Sequence, residues 1–536
     1  MSIYYYFDIL IYDIFNFEVI VISLIKKMES DKTRLNKLYL ALEEVKDHFL
    51  SYTSINKSPV RIYTHLDADG LSSGAILGKA LYREEIPFQI TVLRQLERLE
   101  IVKIIEGVRQ NKNFLIFSDF GSGQYLELQK NLISKYDFNA LIILDHHIPQ
   151  QVSNKEETKK IEKIHEETKK WQVNPYFWGI DGSVEISGAG MCYCFAKCLN
   201  KANLDLAHLA ITGAIGDIQN QGIGKSFQGV NKLILKDATS SGQIEVIDDL
   251  NYSTLKPLNE AIAYSSELIL PGLSNDINKS LIFLKTRGIL MENPDGRVKT
   301  LNELNQDEKK IVSSAIIEYA SLKLDLEPIK IIQKLIVNRY LLKKELENSD
   351  LHDIADFSNL LNACGRTQNS SIGISIAMGD RKDLYQKSKQ IITNYRRSLV
   401  KSLSWIKDND LIKQKEWIQY FFGEEVIPES IIGTVTSMLI FGKNNIVDKS
   451  RPLFGLAKRN SEEVYKVSGR AHEKIVSKGV NLSRAIREAC QRSNLDILGG
   501  GHPPAAGTKI PIDKIELFLE NCNIVVGNQI NEKKID

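Results

Sequence analysis

The chain has 536 residues, 43% of them hydrophobic and 25% charged, with a net charge of +2. This is the profile of a soluble globular protein too long for one core, so two or three domains are expected, and the near-neutral balance excludes capture of a polyanion by overall charge. Six cysteines over this length exclude a disulfide framework and fit a reducing cytoplasm.

Met1–Ile25 is rich in Tyr, Phe and Ile but carries Asp8, Asp13 and Glu18, each costing roughly 2.5 kcal/mol or more at a bilayer centre. It also lacks the basic start and small-residue cleavage site of a secretion signal. The expectation is a peripheral helix, or an extension upstream of a start at Met28, with no membrane association. A helix is expected over Asp31–Phe49.

From Val60 the pattern alternates strand and helix. Val60–Thr64, Phe88–Leu93, Phe114–Ser118 and Leu141–Leu144 are apolar runs of strand length, and Ser73–Arg83, Glu97–Arg109 and Tyr125–Lys135 read as helices between them. Such alternation predicts βαβ units and a parallel sheet. A fifth short apolar run, Tyr176–Ile180, follows the charged segment Lys155–Lys170, which reads as a solvated helix or flap. Helices are expected from Ser187 to about Asp237. A helical, mixed stretch without a readable motif follows from about Asp248 to Ser358. Lys382–Lys407 reads as a long polar connector helix. Short strands and helices resume near Trp417 and end in the Gly-rich turn Gly499–Gly507.

Three of the apolar strands run into acids: His65-Leu66-Asp67-Ala68-Asp69-Gly70, Ser118-Asp119-Phe120-Gly121 and Asp145-His146-His147. In a parallel sheet these ends share one edge, where open α/β folds bind ligands. A fourth acid, Asp217, ends the apolar helical run from Leu209 to Gly216. Any one Asp after a strand is as often a turn former or helix cap, but the coincidence of four acids with four of the nine histidines, in strand-end motifs and the C-terminal turn, outweighs that. Clustered carboxylates repel unless divalent cations compensate them.

These residues resemble the DHH phosphoesterase superfamily, named for the triplet that stands here as Asp145-His146-His147. His65-x-Asp67-x-Asp69-Gly70 is similar to its first motif, Asp119 to its second and Gly216-Asp217 to its fourth. Asn174-Pro175 and Asp181-Gly182 through Gly190 resemble RecJ-type nucleases, and Leu361-Asn-Ala-Cys-Gly-Arg366 resembles the archaeal RecJ-like group that includes the GINS-associated nuclease. The Gly499–Gly507 turn is similar to the substrate-binding domain that accompanies this subfamily.

The resemblance implies two divalent metal ions, Mn²⁺ or Mg²⁺. One would be held by His65, Asp67 and Asp119, the other by Asp69, Asp119, His146 and Asp217, with Asp119 shared. It implies that His147 contacts the scissile phosphate and that Asp145 orients a neighbour. Arg366, Ser468, Arg470, Gly500, Gly501 and His502 would bind substrate, with Ser468-Gly-Arg470-Ala similar to the family's terminal-phosphate contact. Cys192, Cys194 and Cys198 do not face one point on a helix and read as packing, not as a zinc site.

The expected fold is α/β, with a parallel-sheet DHH domain, a helical middle region and linker helix, and a C-terminal α/β substrate-binding domain. The expected boundaries are a helical extension over 1–57, a catalytic domain over 58–240, a middle region over 241–357, a connector over 358–412 and the substrate-binding domain over 413–528. The expected function is a metal-dependent exonuclease for single-stranded DNA or RNA in replication or repair, cytoplasmic, with the GINS complex or replicative helicase as partner. The alternatives are a phosphodiesterase for small oligonucleotides or cyclic dinucleotides, and a replisome scaffold subunit that binds GINS.

Overall fold

The computed structural model describes residues 32–108, 113–133, 140–149, 171–265, 267–324, 326–442, 446–459, 462–495 and 500–532. Met1–Ile25 and the charged 155–170 stretch lie outside the described residues. No helix among the described residues is long and apolar enough to cross a membrane. The chain divides into two units, Met1–Gly365 with Asn369–Gln386, and Arg366–Gln368 with Lys387–Asp536.

The first unit is built on a five-stranded sheet: β1 (Val60–His65), β2 (Phe88–Leu93), β3 (Leu115–Ser118), β4 (Leu141–Leu144) and β5 (Gln172–Val173). The order is β2-β1-β3-β4-β5 and every pairing is parallel. β3 and β4 are buried at every position, as befits strands covered on both faces and so apolar without alternation. Below β1, β3 and β4 a cluster of Tyr63, Ile101, Ile104, Leu115, Phe117, Leu128, Leu141 and Ile143 forms the core.

The fifth strand is not the predicted Tyr176–Ile180 run. Pro175 and the left-handed Gly179 (φ 70°) close that run into a short 3₁₀ turn, Pro175–Trp178. The paired residues are Gln172 and Val173 just before it.

Order β2-β1-β3 places a topological switch between β1 and β3. The chain leaves β1 toward one side for β2 and returns to its other side for β3, so the loops after β1 and β3 diverge and leave a crevice. The helix Ala68–Arg83 starts at this crevice, and Gly188–Leu199 and Ala207–Gly216 pack against it with almost no exposed surface. Cys192 and Cys194 are buried in the second of these helices, and Cys198 partly so.

Beyond the helix Gly229–Ser240, β6 (Ile244–Leu250) pairs antiparallel with β7 (Ile336–Leu342), from Ile244 opposite Leu342 to Leu250 opposite Ile336. The residues between them form a helical excursion with a core of its own, around Leu258, Ile262, Leu284, Leu301, Val312, Ile316 and Ile331.

The second unit carries a six-stranded mixed sheet in the order β12-β13-β11-β10-β9-β8. Its strands are β8 (Lys413–Gln414), β9 (Gln419–Phe422), β10 (Leu453–Arg459), β11 (Val464–Arg470), β12 (Gly500–His502) and β13 (Ala505–Pro511). Phe454, Leu456, Tyr465 and Val467 pack into a core with Leu482, Ile486, Phe518 and Val526 of the helices Leu482–Arg492 and Ile515–Glu532. Alternation along a strand sends the intervening residues to the opposite face. There the Ile432–Phe441 helix lies over Gly455 and Ser468.

Candidate metal centre

The ends of β1, β3 and β4 deliver the acidic motifs to the crevice. His65 is the last residue of β1. Asp67 caps the following helix, accepting from the Gly70 amide at 3.1 Å, and its other oxygen lies 2.7 Å from His65 Nδ1. One side chain thus serves as helix cap and as candidate ligand. Asp69 is fully buried and accepts from the Gly188 and Ala189 amides at 2.6 and 2.9 Å. These are unsatisfied donors at the start of the Gly188–Leu199 helix, the end favourable to an anion.

Asp119 follows β3 with a left-handed backbone, φ 61°, a conformation that costs free energy in a non-glycine residue and concentrates at functional sites. The turn aims its buried carboxylate between His65 Nδ1, 3.6 Å away, and His146 Nε2, 3.2 Å away. Asp217 caps the C-terminal end of Ala207–Gly216 and stands 3.2 Å from the same Nε2, while Asp69 stands 3.7 Å from it.

Two ligand groups result, His65 with Asp67 and Asp119, and Asp69 with Asp119, His146 and Asp217. Asp119 belongs to both. A third convergence adds Asp145 and His147 to Asp119 and His146, but the Asp145 oxygens are committed. One accepts from the His146 amide at 2.8 Å, the His147 amide at 3.2 Å and His147 Nδ1 at 2.8 Å, the other from the Ser122 amide at 2.9 Å. Asp145 is therefore an orienting group, and His147 is the exposed partner, 37% against 1% for the side chains.

The residues fit a divalent cation on a specific ground. His146 Nδ1 donates to the Gly182 carbonyl at 2.6 Å, so in the neutral ring Nε2 carries the lone pair. That atom and both oxygens of Asp119 are buried without a hydrogen-bond partner among the described residues. A lone pair facing carboxylates needs a proton or a cation between them. Oxygen with imidazole nitrogen is a donor set suited to Mn²⁺ and tolerant of Mg²⁺.

The electrostatics agree. Burial and repulsion from Asp119 and Asp217 push Asp69 well above the carboxylate range. Burial opposes the charged forms of His65 and His146, yet the surrounding carboxylates hold both well above the ordinary imidazole value. Asp145 is lowered despite its burial, chiefly by His147. Burial and His146 oppose a charge on His147, and Asp145 prevails to raise it. The centre retains protons where a cation would displace them.

An outer ring of neutral amides was missed from sequence. Gln219 Nε2 donates to the Gly182 carbonyl at 2.9 Å, and Asn231 Nδ2 donates to Gln219 Oε1 at 2.7 Å, all of it buried. Gln219 fixes the carbonyl that sets the His146 tautomer, and Asn231 holds Gln219 in place. Gly182 is obligatory, because a Cβ there would overlap the His146 carbonyl oxygen. Asn174, already singled out in sequence, donates to Ser122 Oγ and to the His147 carbonyl, each at 2.9 Å. Arg34, on the helix over 32–55, bonds the Gly179 carbonyl and pairs with Glu185 at 3.4 Å, clamping the loop that carries Gly182.

The Leu361–Arg366 motif also has a supporting role. Asn362 Oδ1 accepts from the Ala68 amide at 3.1 Å, and a Cβ on Gly365 would overlap the Leu66 carbonyl oxygen. The helix Ile354–Arg366 therefore braces the loop holding Asp67 and Asp69.

In the second unit, Ser468 and Arg470 lie on β11, and the sheet register puts Gly500 opposite Gly507 opposite Ser468, and His502 opposite Ala505 opposite Arg470. Gly501 lies between these rows, opposite Ala506. Arg470 Nε donates to Ser437 Oγ and its Nη1 to the Gly469 carbonyl, both at 2.8 Å. Burial, and then the charge of Arg366, lower its guanidinium to about 10. Two arginines so placed repel each other and favour an anion.

Residues 253–336 match the DHH-CID domain family and residues 426–528 the DHHA1 domain family. An uncharacterized protein of Methanocaldococcus jannaschii is 31% identical over 498 residues, which cover 93% of this chain and 99% of the relative. The chain belongs to the DHH superfamily as a RecJ-like protein. RecJ from Thermus thermophilus, solved in complex with Mn²⁺, is similar in structure with a TM-score of 0.50 at 15% identity. That likeness covers 92% of this chain and 55% of that one, so this RecJ-like chain spans about half the length of the Thermus protein. CDC45 from Entamoeba histolytica is similar with a TM-score of 0.60 at 11% identity, over 92% of this chain and 99% of that one. At these identities the likeness is one of fold, and the fold is that of a DHH phosphoesterase. The DHH-CID match falls on the stretch in which the sequence offered no readable motif.

Proposed function

We infer that this RecJ-like chain is a metal-dependent exonuclease that hydrolyses phosphodiester bonds of single-stranded DNA or RNA, in the cytoplasm, during replication or repair. The observation that carries the reading is the pair of ligand groups sharing Asp119, whose buried oxygens and the facing His146 Nε2 have no hydrogen-bond partner among the described residues. His65, Asp67 and Asp119 would hold one divalent ion, and Asp69, Asp119, His146 and Asp217 a second, Mn²⁺ or Mg²⁺. When bound, such a pair supplies charge compensation for a phosphoryl group and lowers the pKa of an attacking water.

The chain's own residues do the rest. Asp145 holds His147 by Nδ1, so the other ring nitrogen is the one to be presented to a phosphate oxygen. Gly182, Gln219 and Asn231 keep His146 in its ligating tautomer. The proposed layout is a catalytic domain over 58–240, a middle region over 241–357, a connector over 358–412 and a substrate-binding domain over 413–528.

Charge supports a nucleic-acid substrate. Residues 387–536 contain 24 Lys and Arg against 17 Asp and Glu, a net of +7, while 1–386 carry 45 against 50, a net of −5. The excess positive charge lies with the unit that bears Ser468, Arg470, Gly500, Gly501 and His502, which together with Arg366 would grip phosphates. A second reading, a replisome scaffold that binds GINS, is favoured by the likeness of fold to CDC45 along its whole length. Its weakness is that every proposed metal ligand is present here.

The test is end-labelled single strands of DNA and RNA, from dinucleotide upward, incubated with Mn²⁺ or Mg²⁺. The expected result is stepwise release of nucleotides from long strands. Cleavage confined to di- to tetranucleotides would favour the small-substrate phosphodiesterase. No cleavage of any length, with tight binding to GINS, would favour the scaffold.

A further inference from the structure

The helix Asp383–Asp408 carries six cations, Lys387, Lys389, Arg396, Arg397, Lys401 and Lys407, and no acid from Leu384 to Lys407. In a chain where acids and bases nearly balance, such an interval is unusual, and a solvated connector helix would ordinarily mix both signs at i,i+4 spacing. All six cations are exposed. No ion pair is made by Lys387, Arg396, Arg397, Lys401 or Lys407 among the described residues. The opposite face is consumed by packing, with Ile392, Tyr395, Leu399, Ser402 and Ile406 buried.

We propose that this helix is a second, non-catalytic binding surface for the phosphodiester backbone of single-stranded nucleic acid. The proposal rests on the reading that the substrate is single-stranded nucleic acid, and it adds where the strand beyond the reacting end is held. From Lys387 to Lys407 the helix runs about 30 Å at ~1.5 Å per residue, the length of about nine stacked nucleotides at ~3.4 Å each. A cation-rich exposed face running along a helix suits a linear polyanion. It does not suit a lipid surface, because a helix lying on a membrane inserts an apolar face. Here that face is buried in the protein, and Val400 is the one large hydrophobic residue of the helix recorded as exposed.

The test uses the full chain with Lys387→Gln, Arg396→Gln, Arg397→Gln and Lys401→Gln combined, glutamine having a helix propensity close to that of the residues replaced. Binding of a 30-nucleotide strand without divalent metal, followed against salt, should weaken at least tenfold. The slope of log K against log salt should shrink by about 2–3, at ~0.7 per lost contact to a single strand. Hydrolysis of a five-nucleotide strand should keep its kcat. A wild-type chain that binds the 30-mer with the same affinity and slope as the variant overturns the proposal. Helix-dependent binding to phosphatidylserine vesicles, with 30-mer affinity unchanged, would assign the surface to lipid and overturn it as well. A chain that cleaves no oligonucleotide yet binds the 30-mer through this helix would overturn the exonuclease and leave the proposal standing.

Discussion

The two units concentrate charge of opposite sign, and they hold it differently. At the sheet edge of the first, buried Asp69 and Asp119 and half-buried Asp217 crowd around one buried imidazole, positioned by helix-terminal amides and an outer ring of Asn and Gln. In the second, Arg470 at the end of β11 and Arg366 at the end of its helix repel each other, with the Ser437 hydroxyl bonded to Arg470. Each arrangement is unfavourable until a partner of opposite charge arrives. The acidic one is largely buried, and its residues fit a divalent cation. The basic one pairs Arg470 on a strand with Arg366 at a helix end, and burial of the Arg470 guanidinium adds to their repulsion. On the proposed reading the first place does the chemistry and the second grips the substrate, so substitutions in the two should fail in different ways.

The largest effect is expected at Asp119. It belongs to both ligand groups, and Asp119→Asn removes its charge while keeping its shape. Hydrolysis should fall at least a thousandfold, because both ligand groups lose the carboxylate they share. Residual turnover above a tenth of wild type would end the shared-ligand assignment. Asp69→Ala should also abolish turnover and should lower the melting temperature of the metal-free protein, because it strands the Gly188 and Ala189 amides.

Gln219→Ala comes next. It touches no ligand atom but frees the Gly182 carbonyl that fixes His146. Mn²⁺ affinity, measured by calorimetry, should weaken by about 10–100-fold, with the metal-free melting temperature falling by only a few degrees. An unchanged affinity would make the amide ring mere packing.

Arg470→Ala should raise KM for single strands about tenfold and leave kcat within about threefold. Arg470→Lys should recover little, because lysine cannot copy a bidentate guanidinium. If kcat collapses while KM holds, the separation of chemistry from grip is wrong.

The smallest effect tests the first unit away from its centre. His208 is held neutral by burial and by the nearby Lys79, down to about 4. Its folded pKa is below the unfolded value of about 6.5, so the unfolded chain binds the extra proton and stability falls as pH drops from about 6.5 toward 4. Urea midpoints should register a loss of about 1–2 kcal/mol between pH 7 and 5. His208→Gln should lose that part of the slope, and a variant with the wild-type slope would clear His208 of the effect.

The sheet and its acids were legible because their signals are local. Apolar runs such as Leu141–Leu144 followed at once by Asp145-His146-His147 need only a few adjacent residues to be seen. The β6–β7 ribbon was not legible, since Glu245, Asp248 and Asp249 on one strand and Asn338 and Arg339 on the other mask any alternation, and its partners are far apart in sequence. Tyr176–Ile180 misled because an apolar run says nothing of the turn that Pro175 and Gly179 impose. Gln219 and Asn231 are neutral amides with no motif of their own, and only the folded chain reveals what they hold. Arg366 was read as a phosphate contact alone, yet the residues before it brace the first acidic loop.

The ribbon has a consequence for how this chain could be taken apart. Leu250 and Ile336 face each other across antiparallel strands, so the helical excursion leaves and re-enters the first unit at points about 5 Å apart. Geometrically it is a bead threaded onto a hairpin. Replacing 251–335 by an Asn-Gly turn would close β6 directly onto β7, leaving the crevice and its acids on a shorter chain. Such a body could gain, lose or exchange the bead by a single insertion event, without renegotiating the packing beneath it.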